Sequence, residues 1–169
     1  MIIDCVSDLH GHYTQLEGGD LLIIAGDFSI TGEYNEYLSF IDWMRNQDYK
    51  TKIFIPGNHD NICLKRKQCK IVSDEIIYLC DYGTELEGLK IWGSPWTKRF
   101  EGMNQMCMAF TVDTEEELAE KWDMIPGDVD ILVTHSPPFG TRDKTHKGYH
   151  VGSGTLSLAV MDRPSIQRS

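Results

Sequence analysis

Four short apolar runs in this chain each end in a polar cluster rich in Asp, Asn or His, and that repetition constrains the fold more than any other feature. Residues 2–6 lead into Ser7-Asp8-Leu9-His10-Gly11-His12, and 21–25 into Gly26-Asp27. Residues 52–55 lead into Pro56-Gly57-Asn58-His59-Asp60, and 130–134 into His135-Ser136-Pro137-Pro138. Short apolar runs bounded by turn formers read as buried strands. Between the second and third runs, 34–47 places Tyr37, Leu38, Ile41, Trp43 and Met44 near helical spacing, a crossover helix that would make its flanking strands parallel. Open α/β sheets take their ligands beyond the carboxyl ends of the strands, so the four polar clusters are expected on one rim.

The second half continues the pattern. Runs at 76–80 and 89–92 are strand-like and separated by a Gly-containing turn at 81–88. Thr114 and Glu117 have capping-box spacing ahead of Leu118, Ala119 and Trp122, and Ile125-Pro126-Gly127 stops that helix. A further helix is expected over 156–161, before a polar end at 163–169. We read 1–169 as a single α/β domain, a size that can bury one core without disulfides or structural zinc.

Composition narrows the function. Lys and Arg total 16 against 26 Asp and Glu, and the resulting charge of -10 repels a polyanion, which disfavours nucleic acid as a partner. Five cysteines (Cys5, Cys63, Cys69, Cys80, Cys107) form no Cys-x-x-Cys pair and no disulfide framework, which suits a reducing compartment. No run approaches the ~18 apolar residues that span a bilayer, and the N-terminus lacks a basic, apolar leader pattern. A cytoplasmic protein with no membrane partner is expected.

The chemistry lies in the strand-end clusters. Asp8 and His10 offer a hard oxygen and an imidazole from one turn, a pairing that suits zinc, manganese or iron. Taken alone, Asp-x-His is more often a turn aspartate beside a surface histidine, and Gly-Asp is a common turn former. Position gives Asp27 its weight, because a carboxylate leaving the neighbouring strand can bridge two cations. Gly57 allows a sharp exit, Asn58 offers a neutral oxygen, and His59 projects beside the metals, able to protonate a leaving oxygen or to stabilise the transferred phosphoryl group. Asp60 is expected to hold the His59 ring by accepting from its other nitrogen. His135 repeats the strand-end placement.

In this order the residues resemble the calcineurin-like metallophosphoesterase superfamily, whose pattern is Asp-x-His, Gly-Asp, Gly-Asn-His-Asp/Glu, His and Gly-His-x-His. The likeness covers nearly the whole chain. Leu89-Lys90-Ile91-Trp92-Gly93-Ser94-Pro95-Trp96, Met108-Ala109-Phe110, the 130–138 stretch and Gly148-Tyr149-His150-Val151-Gly152 are similar to its small metallophosphoesterase-domain-containing branch. The resemblance implies a four-layer α/β/β/α sandwich of two mixed sheets. It implies two divalent ions (manganese, iron or zinc), with Asp8 and His10 on one, Asp27 bridging, and Asn58 and His135 on the other. A metal-bound hydroxide would then attack a small phosphomonoester or phosphodiester.

No Gly-His-x-His follows His135. Three readings compete: a truncated chain, replacement ligands from His12, His146 or His150, or a protein reduced to a non-catalytic metal or nucleotide-binding module. Truncation is favoured, because losing a buried strand would expose a sheet edge. Residues 141–154 carry Arg142, Lys144, Lys147, His146 and His150, either a solvated loop or a clamp for phosphate in which Arg142 and His150 meet the substrate alongside Asn58. The Trp92, Trp96 and Phe100 group could stack on a nucleobase, although aromatics at this density are more often core.

Overall fold

The computed structural model describes residues 1–65, 75–163 and 165–166; Cys69 and part of the polar tail lie outside that set. The first apolar runs form β1 (Ile3–Val6) and β2 (Gly19–Ala25), followed by α1 (Tyr34–Arg45) and β3 (Tyr49–Ile55). Glu36 closes the first turn of α1 by accepting the Glu33 amide at 2.9 Å. With α1 as the crossover, β2 and β3 pair in parallel, Ile23 opposite Ile53. A short α2 (Asn61–Lys65) precedes β4 (Ile76–Tyr78), which completes a four-stranded parallel sheet in the order β1-β2-β3-β4.

The next elements are β5 (Tyr82–Leu86), β6 (Leu89–Ser94), the small pair β7 (Thr97–Lys98) and β8 (Thr111–Val112), then α3 (Glu115–Trp122), β9 (Ile131–Thr134) and α4 (Gly154–Met161). The second sheet, β5-β6-β9, mixes an antiparallel and a parallel pairing. The segment 81–88, expected as a turn, holds β5, and the turn itself is Glu87-Gly88, with φ of 50° and 82°. This strand escapes a hydrophobic pattern because it lies at a sheet edge with its side chains half exposed. The capping box of α3 forms as its spacing predicts, Thr114 Oγ1 accepting from Glu117 N at 3.1 Å.

Strand alternation sorts the side chains into layers. Leu22, Ile24 and Phe54 pack on Phe40, Ile41 and Met44 of α1. Their neighbours Leu21, Ile23, Ile53 and Ile55 face Ile91 and Val133 of the second sheet. Trp92 and Leu132, on that sheet's far side, meet Leu118 and Trp122 of α3 and Leu156 of α4. The result is the α/β/β/α sandwich. Gly93 marks where the sheets press closest, since a Cβ there would lie 2.4 Å from Leu79 Cβ and 2.6 Å from Ile55 Cγ2. Among the described residues no helix is long and apolar enough to cross a membrane.

Candidate metal centre

The loops leaving β1, β2, β3 and β9 converge at one rim. The first two run side by side past their strands, with Asp8 N donating to Gly26 O at 3.1 Å and His10 N to Asp27 O at 3.0 Å. Asp8, His10 and Asp27 all have left-handed backbones, φ 55°, 43° and 55°. Asp accepts this conformation more readily than most residues, yet three such residues in two adjoining loops concentrate strain where the side chains converge. Gly26 and Gly57 make that convergence sterically possible. A Cβ on Gly26 would lie 2.5 Å from His135 Nδ1, and one on Gly57 would lie 2.2 Å from Asp27 Oδ1.

Asp27, buried, occupies the centre. Its Oδ1 accepts from His59 N at 2.9 Å and lies 3.4 Å from His135 Nε2. Its Oδ2 lies 3.9 Å from His10 Nε2 and 3.8 Å from His59 Nε2, while Asp8 Oδ1 is 3.9 Å from His10 Nε2. Each imidazole turns its other nitrogen to a backbone carbonyl: His10 Nδ1 to Ser29 O at 3.3 Å, His59 Nδ1 to Ile30 O at 2.6 Å, His135 Nδ1 to Ala25 O at 3.0 Å. A neutral ring that donates from Nδ1 keeps a bare lone pair on Nε2. The three Nε2 atoms all face carboxylate or amide oxygens, an arrangement that a cation held among them would satisfy.

The donor set fits divalent metal. Ligand atoms held ~2.0–2.2 Å from one ion lie roughly 3–3.5 Å from each other, and the observed separations of 3.4 to 3.9 Å are close to that. His10, Asp27 and His59 form one group with ligand atoms within 4.8 Å of one another, and Asp8, Asp27 and His135 form a second that shares Asp27. The carbonyl behind each imidazole is the usual device for fixing ring orientation and tautomer at a metal.

Asn58 is set just as firmly. Its Nδ2 donates to Cys107 O at 3.2 Å, and its backbone oxygen accepts from Ala109 N at 3.1 Å, which leaves Oδ1 at 3.1 Å from His135 Nε2. The expected Asp60–His59 contact is not made. Asp60 instead accepts from Ser29 Oγ at 2.6 Å, Ser29 N at 3.0 Å and Gly57 N at 2.7 Å, while the carbonyl of Ile30 takes the ring nitrogen meant for it. Fully buried, Asp60 has its pKa pushed up to about 7 by desolvation and by the charge on Asp27, against the pull of those three bonds.

The loop over 139–152 is tied together by its own contacts. His150 Nδ1 pairs with buried Asp143 at 2.6 Å and its ring lies 5.0 Å from that of Phe139. Arg142 and His146 are exposed, and among the described residues neither makes an ion pair. His12 is also exposed. Trp96 is structural, donating to Asp81 Oδ2 at 2.7 Å and packing on Phe110, whereas Phe100 is exposed. The motifs do not reveal Cys107, whose buried Sγ lies 3.2 Å from His59 Nδ1, nor Ser29, which meets Asp60.

The sequence matches the family model described as Calcineurin-like phosphoesterase over residues 1–166. It is 31% identical to a Caenorhabditis elegans UPF0046 protein, over 94% of this chain and 47% of that one. It is 33% identical to metallophosphoesterase domain-containing protein 1 of Homo sapiens, over 82% of this chain and 49% of that one. The chain spans about half the length of these curated relatives. A solved structure aligns at a TM-score of 0.69 and 12% identity, covering 96% of this chain and 80% of the other, a likeness of fold.

Proposed function

This chain belongs to the calcineurin-like phosphoesterase family, and we propose that it is a hydrolase of small phosphomonoesters or phosphodiesters. The observation that supports this reading is the gathering of three imidazole Nε2 atoms around the buried carboxylate of Asp27. Asp8, His10, Asp27, Asn58 and His135 would hold two divalent ions of manganese, iron or zinc. When bound, such ions supply Lewis acidity toward a phosphoryl oxygen and bring the pKa of water near neutrality.

The chain's own residues supply positioning and a proton. His59 faces the centre through Nε2, with Nδ1 fixed on Ile30 O, and in this reading the ring, protonated at both nitrogens, donates its Nε2 proton to the departing ester oxygen. Asn58 Oδ1 is kept toward the centre by Cys107 O, and can also orient the substrate's phosphoryl group. Asp60 acts through the backbone, tying the turn that carries Asn58 and His59 to Ser29. Arg142 and His150 would meet the substrate's negative charge from the 139–152 loop, where Asp143 fixes the imidazole.

The test is manganese-dependent hydrolysis of bis(p-nitrophenyl) phosphate. His59→Ala is expected to lower kcat by roughly 10²–10⁴ and to change manganese affinity, read by titration calorimetry, only a few-fold. Unchanged turnover in that variant would remove His59 from the proton role. Stoichiometric manganese uptake with no turnover by the parent protein would replace the hydrolase with a non-catalytic binding module.

A further inference from the structure

An exposed isoleucine is unremarkable on most surfaces, because apolar atoms make up much of any protein's exterior. Ile30 differs in how it is held. Its amide donates to Glu36 Oε1 at 2.8 Å and its carbonyl accepts from His59 Nδ1 at 2.6 Å, so both backbone polar groups are committed. The same carbonyl lies 3.7 Å from Cys107 Sγ. Glu36 is itself anchored in the first turn of α1 and accepts also from Thr31 N and Glu33 N, so Ile30 rides on a rigid support. Its side chain lies along the Asp8–His12 loop, with Cδ1 3.6 Å from the point where a Cβ on Gly11 would be. Despite this anchoring, Ile30 remains 54% exposed.

Met106 is 62% exposed, and its carbonyl accepts from Asn61 Nδ2 at 2.5 Å. The next residue, Cys107, places its sulfur against the His59 ring. Two exposed apolar residues therefore belong to the segments that meet His59 Nδ1 through the Ile30 carbonyl and the Cys107 sulfur, each with its main chain hydrogen-bonded to the turn that carries the site. The fold gains little from their apolar character, because neither is packed in the core. A ligand resting beside His59 would gain, since covering them removes apolar surface from water.

Resting on the reading of this centre as a phosphate-ester site, we infer that Ile30, with Met106 beside it, selects esters whose organic group is apolar or aromatic over those with a hydrated polyol. Ile30 acts as a specificity residue; it takes no part in bond breaking.

Equilibrium binding of two non-hydrolysable probes to the manganese-loaded protein tests this, with calorimetry as the readout. Phenylphosphonate and methylphosphonate share a headgroup and differ in apolar area. The parent protein is expected to bind phenylphosphonate about ten-fold tighter. Ile30→Ser should reduce that ratio to within about two-fold by weakening the phenyl probe alone, Met106→Ser should reduce it in part, and Ile30→Leu should restore it. Equal affinity for both probes in the parent, or an equal loss of both in Ile30→Ser, overturns the selectivity while leaving the phosphate site intact. Manganese uptake with no binding of either probe overturns the phosphate-ester reading, and the selectivity with it.

Discussion

Asp27→Ala and Gly57→Ala are both expected to abolish high-affinity manganese uptake, although only one of them removes a candidate ligand. In Asp27→Ala the three Nε2 atoms of His10, His59 and His135 lose the carboxylate that they share. In Gly57→Ala every ligand remains, but the new methyl carbon would start 2.2 Å from Asp27 Oδ1, 2.6 Å from Asp27 N and 2.8 Å from His135 Cε1. Two of those atoms belong to side chains of the centre and the third to the backbone behind one. They must move apart, and a ligand displaced by even an ångström no longer meets the others around one ion. The loss in affinity should be roughly 100-fold or more, with a fall in stability of about 1–3 kcal/mol from overpacking. Gly127→Ala is the control, since its Cβ would meet nothing within 4 Å and its φ is not positive. Calorimetric titration with manganese, run beside thermal melts of the three variants, reads both quantities. If Gly57→Ala bound manganese like the parent, Asp27 and His135 could not be meeting at one ion.

Much of this arrangement was legible in the chain because strand ends carry their own signals. Asp8, Asp27 and Asn58 each follow a strand of the parallel sheet, which brings such ends to one rim, and His135 joins them from the end of β9 in the second sheet. Thr114 and Glu117 announced α3 for an equally local reason. What escaped depends on long-range contacts between loops. Cys107 reaches His59 from 48 positions away, and Ser29 reaches Asp60 from 31, with no periodicity to mark either. The Asp60–His59 pairing failed for a related reason: adjacent residues in a tight turn point apart, and Ile30 O was already placed to take the ring nitrogen. Strand β5 hid because an edge strand needs no continuous apolar run.

Asp60→Asn should destabilise the metal-free protein, and its penalty should shrink as pH rises. The carboxyl of Asp60 is fully buried and accepts three donors: Ser29 Oγ, Ser29 N and Gly57 N. An Asn can keep its oxygen on Ser29, but its NH₂ then confronts the Gly57 amide, orphaning a buried donor at a cost of about 1–3 kcal/mol. Asp60→Ala abandons all three donors and should lose roughly 3 kcal/mol or more. The pH term has a definite sign. Because the folded pKa is pushed from 3.8 up to about 7, the folded state holds its proton where the unfolded state has lost it. That contribution to stability is complete below the unfolded value and is lost as pH rises through about 7. Asn has no such proton, so the gap between parent and Asp60→Asn should narrow between about pH 5 and 7.5. Urea denaturation in the presence of a chelator, repeated across that range, reads the gap directly. A gap that widened with pH would mean that the three hydrogen bonds outweigh desolvation and hold Asp60 ionised, reversing the order of the two effects.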